Sequence, residues 1–206
     1  MIKITDAGKS LRDKNVLIDI NIEFEDGKAY LLTGSNGCGK TMLLRLMCGL
    51  IKPDSGQVEV PKDTTFGVII ESPAFVNFET GYENLKYLAN IRGKIGRKEI
   101  EAVMERLDLT QAANKRVKTY SLGMKQRLAI CQAFMEEPDV LLLDEPFNAV
   151  DSKNVETICE MIKESRDAGK IVVVAAHSLA EDISDIFDKK IVMREGKIES
   201  VEDISQ

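Results

Sequence analysis

The 206-residue sequence predicts an α/β fold, in which helices cover a mixed, mainly parallel sheet. Two continuous apolar runs, residues 140–143 and 171–174, are typical of strands buried on both faces, and such strands belong to parallel sheets. Between them, residues 153–166 carry apolar side chains at helical spacing, as expected for the helix that connects two parallel strands. Residues 191–198 predict a closing β-hairpin.

The N-terminal part predicts an antiparallel β subdomain. Residues 16–18 and 20–24 alternate apolar and polar side chains, and Asp26-Gly27 supplies a turn. Residues 29–32 form a short apolar run that predicts a buried strand. A glycine-rich loop follows this strand, and apolar residues then recur at helical spacing from Met42 to Leu50.

The middle of the chain predicts a helical insertion. Apolar residues recur at helical spacing between residues 82 and 108, with a break at residues 93–96, and a third helix is expected over residues 122–135. We therefore expect one domain over residues 1–206. Its core lobe comprises residues 1–75 and 136–206, and residues 76–135 form a helical subdomain.

Composition and charge restrict the class of partner. The chain carries 28 Lys and Arg against 34 Asp and Glu, a net charge of −6, so it lacks the basic field typical of a nucleic-acid-binding protein. The longest apolar run, residues 171–176, is far shorter than the roughly 18 residues that a membrane span needs. No signal peptide is readable at the start. We expect a cytoplasmic protein with no nucleic-acid partner and no direct membrane insertion.

Cysteine and histidine usage argues against a zinc site. The four cysteines show no C-x-x-C spacing, and His177 is the single histidine. Reduced, mostly buried thiols are therefore expected rather than disulfides.

Residues 34–41 fit the phosphate-binding pattern G-x-x-x-x-G-K-[ST] between a predicted strand and a predicted helix. Glycines let successive backbone N–H groups point inward at phosphate oxygens, and the helix dipole adds to that attraction. We expect Lys40 to bridge the β- and γ-phosphates and Thr41 to ligate Mg²⁺. The expected nucleotide contacts are Gly34, Ser35, Asn36, Gly37, Cys38, Gly39, Lys40, Thr41 and Met42.

Two acids, Asp144 and Glu145, follow the apolar run 140–143. Ligands of open α/β sheets bind at the carboxyl ends of the strands, so both acids are expected to face the phosphate loop. Asp144 is predicted to hold Mg²⁺, directly or through its water. Glu145 is predicted to act as the general base that polarises the attacking water in hydrolysis.

Residues 120–127 (YSLGMKQR) are similar to the signature L-S-G-G-Q-x-Q-R of the ATP-binding cassette family. Four positions match the signature, namely Ser121, Gly123, Gln126 and Arg127; Tyr120, Leu122 and Met124 depart from it. The resemblance extends over essentially the whole chain and implies a P-loop NTPase core. It also implies a head-to-tail homodimer, in which Ser121 and Gly123 of one subunit contact the ATP held by the phosphate loop of the other.

Two further segments resemble elements of this family. Residues 147–151 are similar to its dimer-contacting segment. His177 follows the run 171–176 and resembles the histidine that senses the γ-phosphate. The resemblance therefore implies three catalytic residues, Lys40, Glu145 and His177.

Two positions depart from the family pattern. Glu71 stands where a glutamine is usual, and the resemblance implies that it is a third metal-binding residue beside Thr41 and Asp144. A carboxylate binds Mg²⁺ more tightly than an amide but repels the γ-phosphate, so both outcomes stay open. Leu11 stands where an aromatic ring usually covers the adenine. The missing stacking predicts weak discrimination between ATP and GTP.

Glu71, the signature variant and residues 80–85 (TGYENL) resemble the branch that serves exporters of bacitracin-type and lantibiotic peptides. The resemblance implies an ATPase subunit that uses ATP and Mg²⁺ to power a membrane exporter. Its permease is expected to be a separate polypeptide, with this subunit peripheral at the inner face of the membrane. Two alternatives stay open: a cassette ATPase without a transporter, and a module that closes around ATP with little turnover.

Overall fold

The computed structural model describes residues 1–12, 14–71, 74–177 and 181–204. Over these residues the chain alternates between strands and helices. The strands are β1 (Ile2–Leu11), β2 (Lys14–Phe24), β3 (Ala29–Thr33), β4 (Ser55–Glu59), β5 (Phe66–Ile69), β6 (Val140–Asp144), β7 (Ile171–Ala175), β8 (Lys189–Arg194) and β9 (Lys197–Asp203). The helices are α1 (Lys40–Met47), α2 (Gly81–Arg92), α3 (Arg97–Arg106), α4 (Leu122–Phe134) and α5 (Ser152–Asp167), with short 3-10 turns at Thr110–Ala112, Val117–Thr119 and Glu181–Ile186.

The strands form two sheets, and together they confirm the predicted fold class. A six-stranded sheet has the order β5-β6-β7-β3-β8-β9, in which every neighbouring pair is parallel except the antiparallel hairpin β8–β9. A three-stranded antiparallel sheet has the order β2-β1-β4. The mixed sheet and the N-terminal antiparallel sheet are both as predicted.

The central strands are buried on both faces, which explains their continuous apolar runs. In β6, Leu141 and Leu143 pack into one core cluster with apolar residues of α2, α3, α4 and α5. Val140 and Leu142 point to the opposite face, where a second cluster joins α1 and the antiparallel sheet. The six-stranded sheet therefore lies between two apolar layers.

The N-terminal strands differ from the predicted pattern. Residues 16–18 and 20–24, treated separately above, belong to one strand, β2, in which Asp19 has a left-handed φ of 52°. The sequence pattern also missed β4, because it is an edge strand with only one partner and mostly exposed side chains. Alternation is a weak signal in a strand that buries so little.

Helices α2, α3 and α4 lie between β5 and β6 in the chain, as the helical spacing predicted. Thr80 begins α2 by accepting a hydrogen bond on its hydroxyl from the Glu83 N–H (3.1 Å), and Gly93 ends it with a left-handed φ of 64°. The break before α3 therefore lies where the glycines indicated. The subdomain boundary at residues 76 and 135 stays a prediction.

Gly67→Ala should destabilise the fold, because a Cβ at this position in β5 would overlap the carbonyl oxygen of Ala133 and lie 2.7 Å from Cγ of Pro138. Overpacking of this kind costs about 1–3 kcal/mol. Urea unfolding of the purified protein measures the loss. Gly96→Ala is the matched control, since the nearest atom to its added Cβ would be 3.6 Å away. Equal stability of the two variants would contradict the packing argument.

In the part of the chain that the structure describes, no helix combines the length and the hydropathy needed to cross a bilayer.

Candidate nucleotide site

Three neighbouring parallel strands bring the predicted site residues to one edge of the six-stranded sheet. The order β6-β7-β3 places the end of β6, with Asp144, beside β7 and then β3. The phosphate loop follows β3, Glu145 follows β6, and His177 lies two residues after β7. Because the carboxyl ends of parallel strands share an edge, these residues meet although they are far apart in the chain.

The phosphate loop is held against two strands by glycines that have left-handed φ values. A Cβ on Gly34 (φ 147°) would overlap the carbonyl oxygen of Met193, and one on Gly39 (φ 113°) would lie 2.8 Å from the carbonyl oxygen of Val16. Cys38 is buried. Ser35, Asn36 and Gly37 are exposed, so the tip of the loop is accessible to a ligand.

Lys40 lies at the first position of α1 and is 7% exposed. Its Nζ donates a hydrogen bond to the carbonyl oxygen of Gly34 (2.7 Å), so the ammonium group lies inside the loop. Gly39 begins the helix without a side-chain cap. The first N–H groups of α1 and the Lys40 charge are therefore suited to bind an anion.

Thr41 and Asp144 form the part of the site that suits a divalent cation. The Thr41 hydroxyl donates to Oδ2 of Asp144 (2.6 Å). Among the described residues no group of three or more His, Cys, Asp or Glu side chains could hold a metal ion. One carboxylate and one hydroxyl match Mg²⁺, which typically binds one or two carboxylates together with water and phosphate oxygens.

Glu145 directly follows Asp144, the last residue of β6, at the same edge of the sheet as the phosphate loop. Burial raises the pKa of its carboxyl group above the usual range, the charge of Lys40 lowers it in part, and Asp144 raises it further. The nearby backbone and side chain of His177 lower this pKa in part. A partly desolvated carboxylate at this position can take a proton from water.

His177 itself is exposed at the end of this edge. It lies close enough to Glu145 to lower the pKa of that carboxyl group. The structure therefore places Lys40, Thr41, Asp144, Glu145 and His177 in one site.

Glu71 has a different partner. It follows β5, has a left-handed φ of 62°, and accepts a hydrogen bond from Nη2 of Arg45 (2.6 Å) within an ion pair. Among the described residues, no hydrogen bond or ion pair joins it to Thr41 or Asp144. The sequence analysis did not identify Arg45 as the partner of Glu71. The signal that could have indicated it was a basic residue in α1 together with a carboxylate in place of the usual amide.

Leu11 lies at the end of β1, opposite Lys14 of β2, and is 44% exposed. An exposed aliphatic side chain at this strand end is available to a ligand. Its predicted role beside the nucleotide base stays a prediction.

The signature segment forms the start of α4. Ser121 is its N-cap, and its hydroxyl accepts a hydrogen bond from the Met124 N–H (3.2 Å). A Cβ on Gly123 would lie 2.5 Å from the carbonyl oxygen of Ala149, so this position requires glycine. Leu122 is 72% exposed on the same turn.

The structure accounts for one departure from the signature. Tyr120 is buried, its hydroxyl donates to the carbonyl oxygen of Ala112 (2.7 Å), and a Cβ on Gly81 would overlap that hydroxyl. Tyrosine therefore packs here as a core residue with a satisfied hydroxyl. Leu122 is exposed, and no contact within the described part of the chain explains its identity.

The sequence profile of the family described as ABC transporter matches residues 17–148, more than half of the chain. The chain belongs to this family.

Relatives extend the match over almost the whole chain. The uncharacterized ABC transporter ATP-binding protein YdbJ of Bacillus subtilis is 37% identical, covering 97% of this chain and 68% of the relative. The bacitracin transport ATP-binding protein BcrA of Enterococcus faecalis is 36% identical, covering 100% of this chain and 70% of the relative. The lantibiotic transport ATP-binding protein SrtF of Streptococcus pyogenes is 30% identical, covering 96% and 89%.

A solved structure agrees with the fold. The dimeric structure of MJ0796, a bacterial ABC transporter cassette, superposes with a TM-score of 0.89 at 24% identity and covers all of both chains. The chain is thus an ABC ATP-binding subunit with the ATPase fold, homologous to ATP-binding proteins of bacitracin and lantibiotic transport. The predicted family and branch are confirmed.

Proposed function

We propose that this ABC ATPase hydrolyses Mg²⁺-bound ATP to power a membrane exporter of peptide antibiotics or drugs. The observation that carries the catalytic part is the Thr41–Asp144 hydrogen bond (2.6 Å) beside Lys40 and Glu145 at one sheet edge. The names of the bacitracin and lantibiotic relatives support the transport part.

Each residue at this edge has a proposed role. Lys40 binds the β- and γ-phosphates with its ammonium group, and Glu145 accepts a proton from the water that attacks the γ-phosphorus. His177 senses the γ-phosphate.

Thr41 and Asp144 would hold Mg²⁺, with Glu71 as a third metal-binding residue if Arg45 releases it. Bound there, Mg²⁺ would neutralise phosphate charge.

The remaining nucleotide contacts follow the shape of the loop. Exposed backbone at Ser35, Asn36 and Gly37 supports phosphate binding by residues 34–42, and exposed Leu11 supports contact with the base. Ser121 and Gly123 are proposed to reach the nucleotide of a second copy of the chain. ATP would then lie between two subunits and hold them together until its γ-phosphate is lost.

A separate permease subunit is the proposed membrane partner. Val76 and Phe78, which precede α2, are 58% and 72% exposed. Asn84 holds the segment before α2 by accepting from the Val76 N–H (2.8 Å) and donating to the carbonyl oxygens of Val76 and Thr80. A firmly held apolar surface suits a permease helix. The subunit would be peripheral at the inner membrane face, with residues 76–135 acting as the helical subdomain of one ATPase domain.

Loss of the chain tests the exporter role. Cells that lack it should become more sensitive to bacitracin-type or lantibiotic peptides, and the wild-type gene but not the Glu145→Gln gene should restore resistance. Purified protein should release phosphate from ATP in a Mg²⁺-dependent manner. Unchanged sensitivity to these peptides and to a panel of drugs, together with normal phosphate release, would instead favour a cassette ATPase without a transporter.

ATP and GTP should be hydrolysed at similar rates. Leu11 can cover a purine but lacks the stacking worth about 0.5–1.5 kcal/mol for aromatic pairs. Steady-state phosphate release with each nucleotide checks this, and Leu11→Tyr should increase the preference for ATP. A strong ATP preference in the wild-type protein would contradict the proposed role of Leu11.

A further inference from the structure

Helix α4 contacts the turn that carries Glu145 through the side chain of Gln126. Its Nε2 donates hydrogen bonds to the carbonyl oxygens of Glu145 and Pro146, both at 3.2 Å. Gln126 is half-buried. One amide group therefore joins the signature helix to two consecutive peptide units after β6.

The backbone of Glu145 needs such support. Its φ of 51° lies in the left-handed region, which residues with a side chain rarely adopt and which persists only where the surroundings hold it. The Glu145 N–H donates to the carbonyl oxygen of Ala175 (2.8 Å), and its carbonyl oxygen also accepts from the Asn148 N–H (3.3 Å). Pro146 has no N–H, so the Glu145–Pro146 peptide unit can be hydrogen-bonded only through the carbonyl oxygen of Glu145. Gln126 donates to that oxygen and to the next carbonyl oxygen, that of Pro146.

A second contact lies on the same face of α4, because residues three apart in a helix are neighbours. Gly123 lies so close to the carbonyl oxygen of Ala149 that a Cβ would approach to 2.5 Å. Ala149 also has a left-handed φ, of 60°. The start of α4 and the segment from Glu145 to Ala149 therefore form one closely packed unit.

The neighbouring residue anchors α4 in the other direction. Nη1 of Arg127 donates to the carbonyl oxygen of Leu107 (3.0 Å), which follows α3. Adjacent side chains thus fix α4 both to the helical insertion and to the Glu145 turn. A movement of α4 would be passed to that turn through Gln126.

We propose that Gln126 is a positioning residue for the Glu145 carboxylate, holding the left-handed turn in the orientation from which Glu145 reaches the attacking water. This inference rests on the proposed role of Glu145 as the base. Since Gln126 belongs to the signature segment, the same contact links the base of one subunit to the surface proposed to meet the nucleotide of the other.

Gln126→Met keeps the length of the side chain but removes its donor. We expect kcat for ATP hydrolysis to fall about tenfold, which corresponds to about 1.4 kcal/mol of barrier, and KM to change by less than about twofold. Gln126→Glu should lose more, because it directs an acceptor at two carbonyl oxygens. Gln132→Met, the same substitution later in α4, is the matched control and should keep the wild-type rate. Circular dichroism establishes that each variant is folded, and Gln126→Glu carries the test if Gln126→Met does not fold.

A double variant separates positioning from a merely structural role. If Gln126 acts through Glu145, adding Gln126→Met to Glu145→Gln should lower kcat by less than about twofold further. A full tenfold loss in both backgrounds, or an unchanged kcat in the single variant, would overturn the inference. A wild-type rate for Glu145→Gln alone would instead reject the proposed base.

Discussion

Glu145→Gln is expected to lower steady-state phosphate release at least tenfold, and a well-placed general base contributes about 10²–10⁴-fold. The amide has nearly the shape of the carboxylate but cannot accept the proton of the attacking water. Binding of ATP should persist, since Lys40, Thr41 and Asp144 are unchanged. The variant should therefore accumulate as an ATP-bound dimer, which gel filtration in the presence of ATP and Mg²⁺ detects. Glu156→Gln, on the exposed face of α5, is the control and should behave like wild type.

The pH dependence of the hydrolysis rate is a second test of the role of Glu145. Burial raises the pKa of Glu145, and the base acts only when it is deprotonated, so the wild-type rate should fall as the pH drops through this raised value. The residual activity of Glu145→Gln should lack that acid limb. A loss of less than tenfold, or a variant that stays monomeric with ATP and Mg²⁺, would contradict the assignment.

The elements predicted best from sequence are those whose signal is local. The continuous runs in β6 and β7 reflect burial on both faces, and the helical spacing of residues 153–166 matches α5, Ser152–Asp167. The phosphate loop could be identified from the sequence because the left-handed φ values at Gly34 and Gly39 restrict the residue type at these positions. In these segments each position is constrained by its own backbone or burial.

Elements that depend on a few partners were harder to predict. In β1, Asp6 has a left-handed φ of 49° and the register with β2 shifts nearby, so apolar and polar positions lose their alternation. The edge strand β4 buries little, and its sequence resembles a loop. Only pairing with β1 makes it a strand.

The same distinction applies within the site. Residues at or just after the ends of parallel strands, such as Asp144 and His177, could be predicted to lie close together because the carboxyl ends of these strands share an edge. The Arg45–Glu71 ion pair and the bonds from Gln126 to the Glu145 turn depend on how side chains of separate elements lie in three dimensions. No spacing rule in one sequence specifies such contacts.

Lys40→Met should weaken ATP binding by about tenfold to a hundredfold, the range expected when a hydrogen bond to a charged group worth roughly 1.5–3 kcal/mol is lost. Lys40 is 7% exposed, and its ammonium group lies within the loop, 2.7 Å from the carbonyl oxygen of Gly34. Methionine fills similar space without charge, so the nucleotide-free protein should still fold. Isothermal titration calorimetry measures the Kd, and Lys62→Met, at an exposed position, is the control.

Lys40 also acts on Glu145, which makes its removal distinguishable from a simple loss of affinity. Its positive charge lowers the pKa of the Glu145 carboxyl against the effect of burial. Without that charge the pKa should rise further, so at saturating ATP the acid limb of the residual activity should move to higher pH. Unchanged affinity would remove Lys40 from phosphate binding. If ATP binding weakens but the acid limb does not move, the charge of Lys40 does not affect the pKa of Glu145 once the nucleotide lies between them.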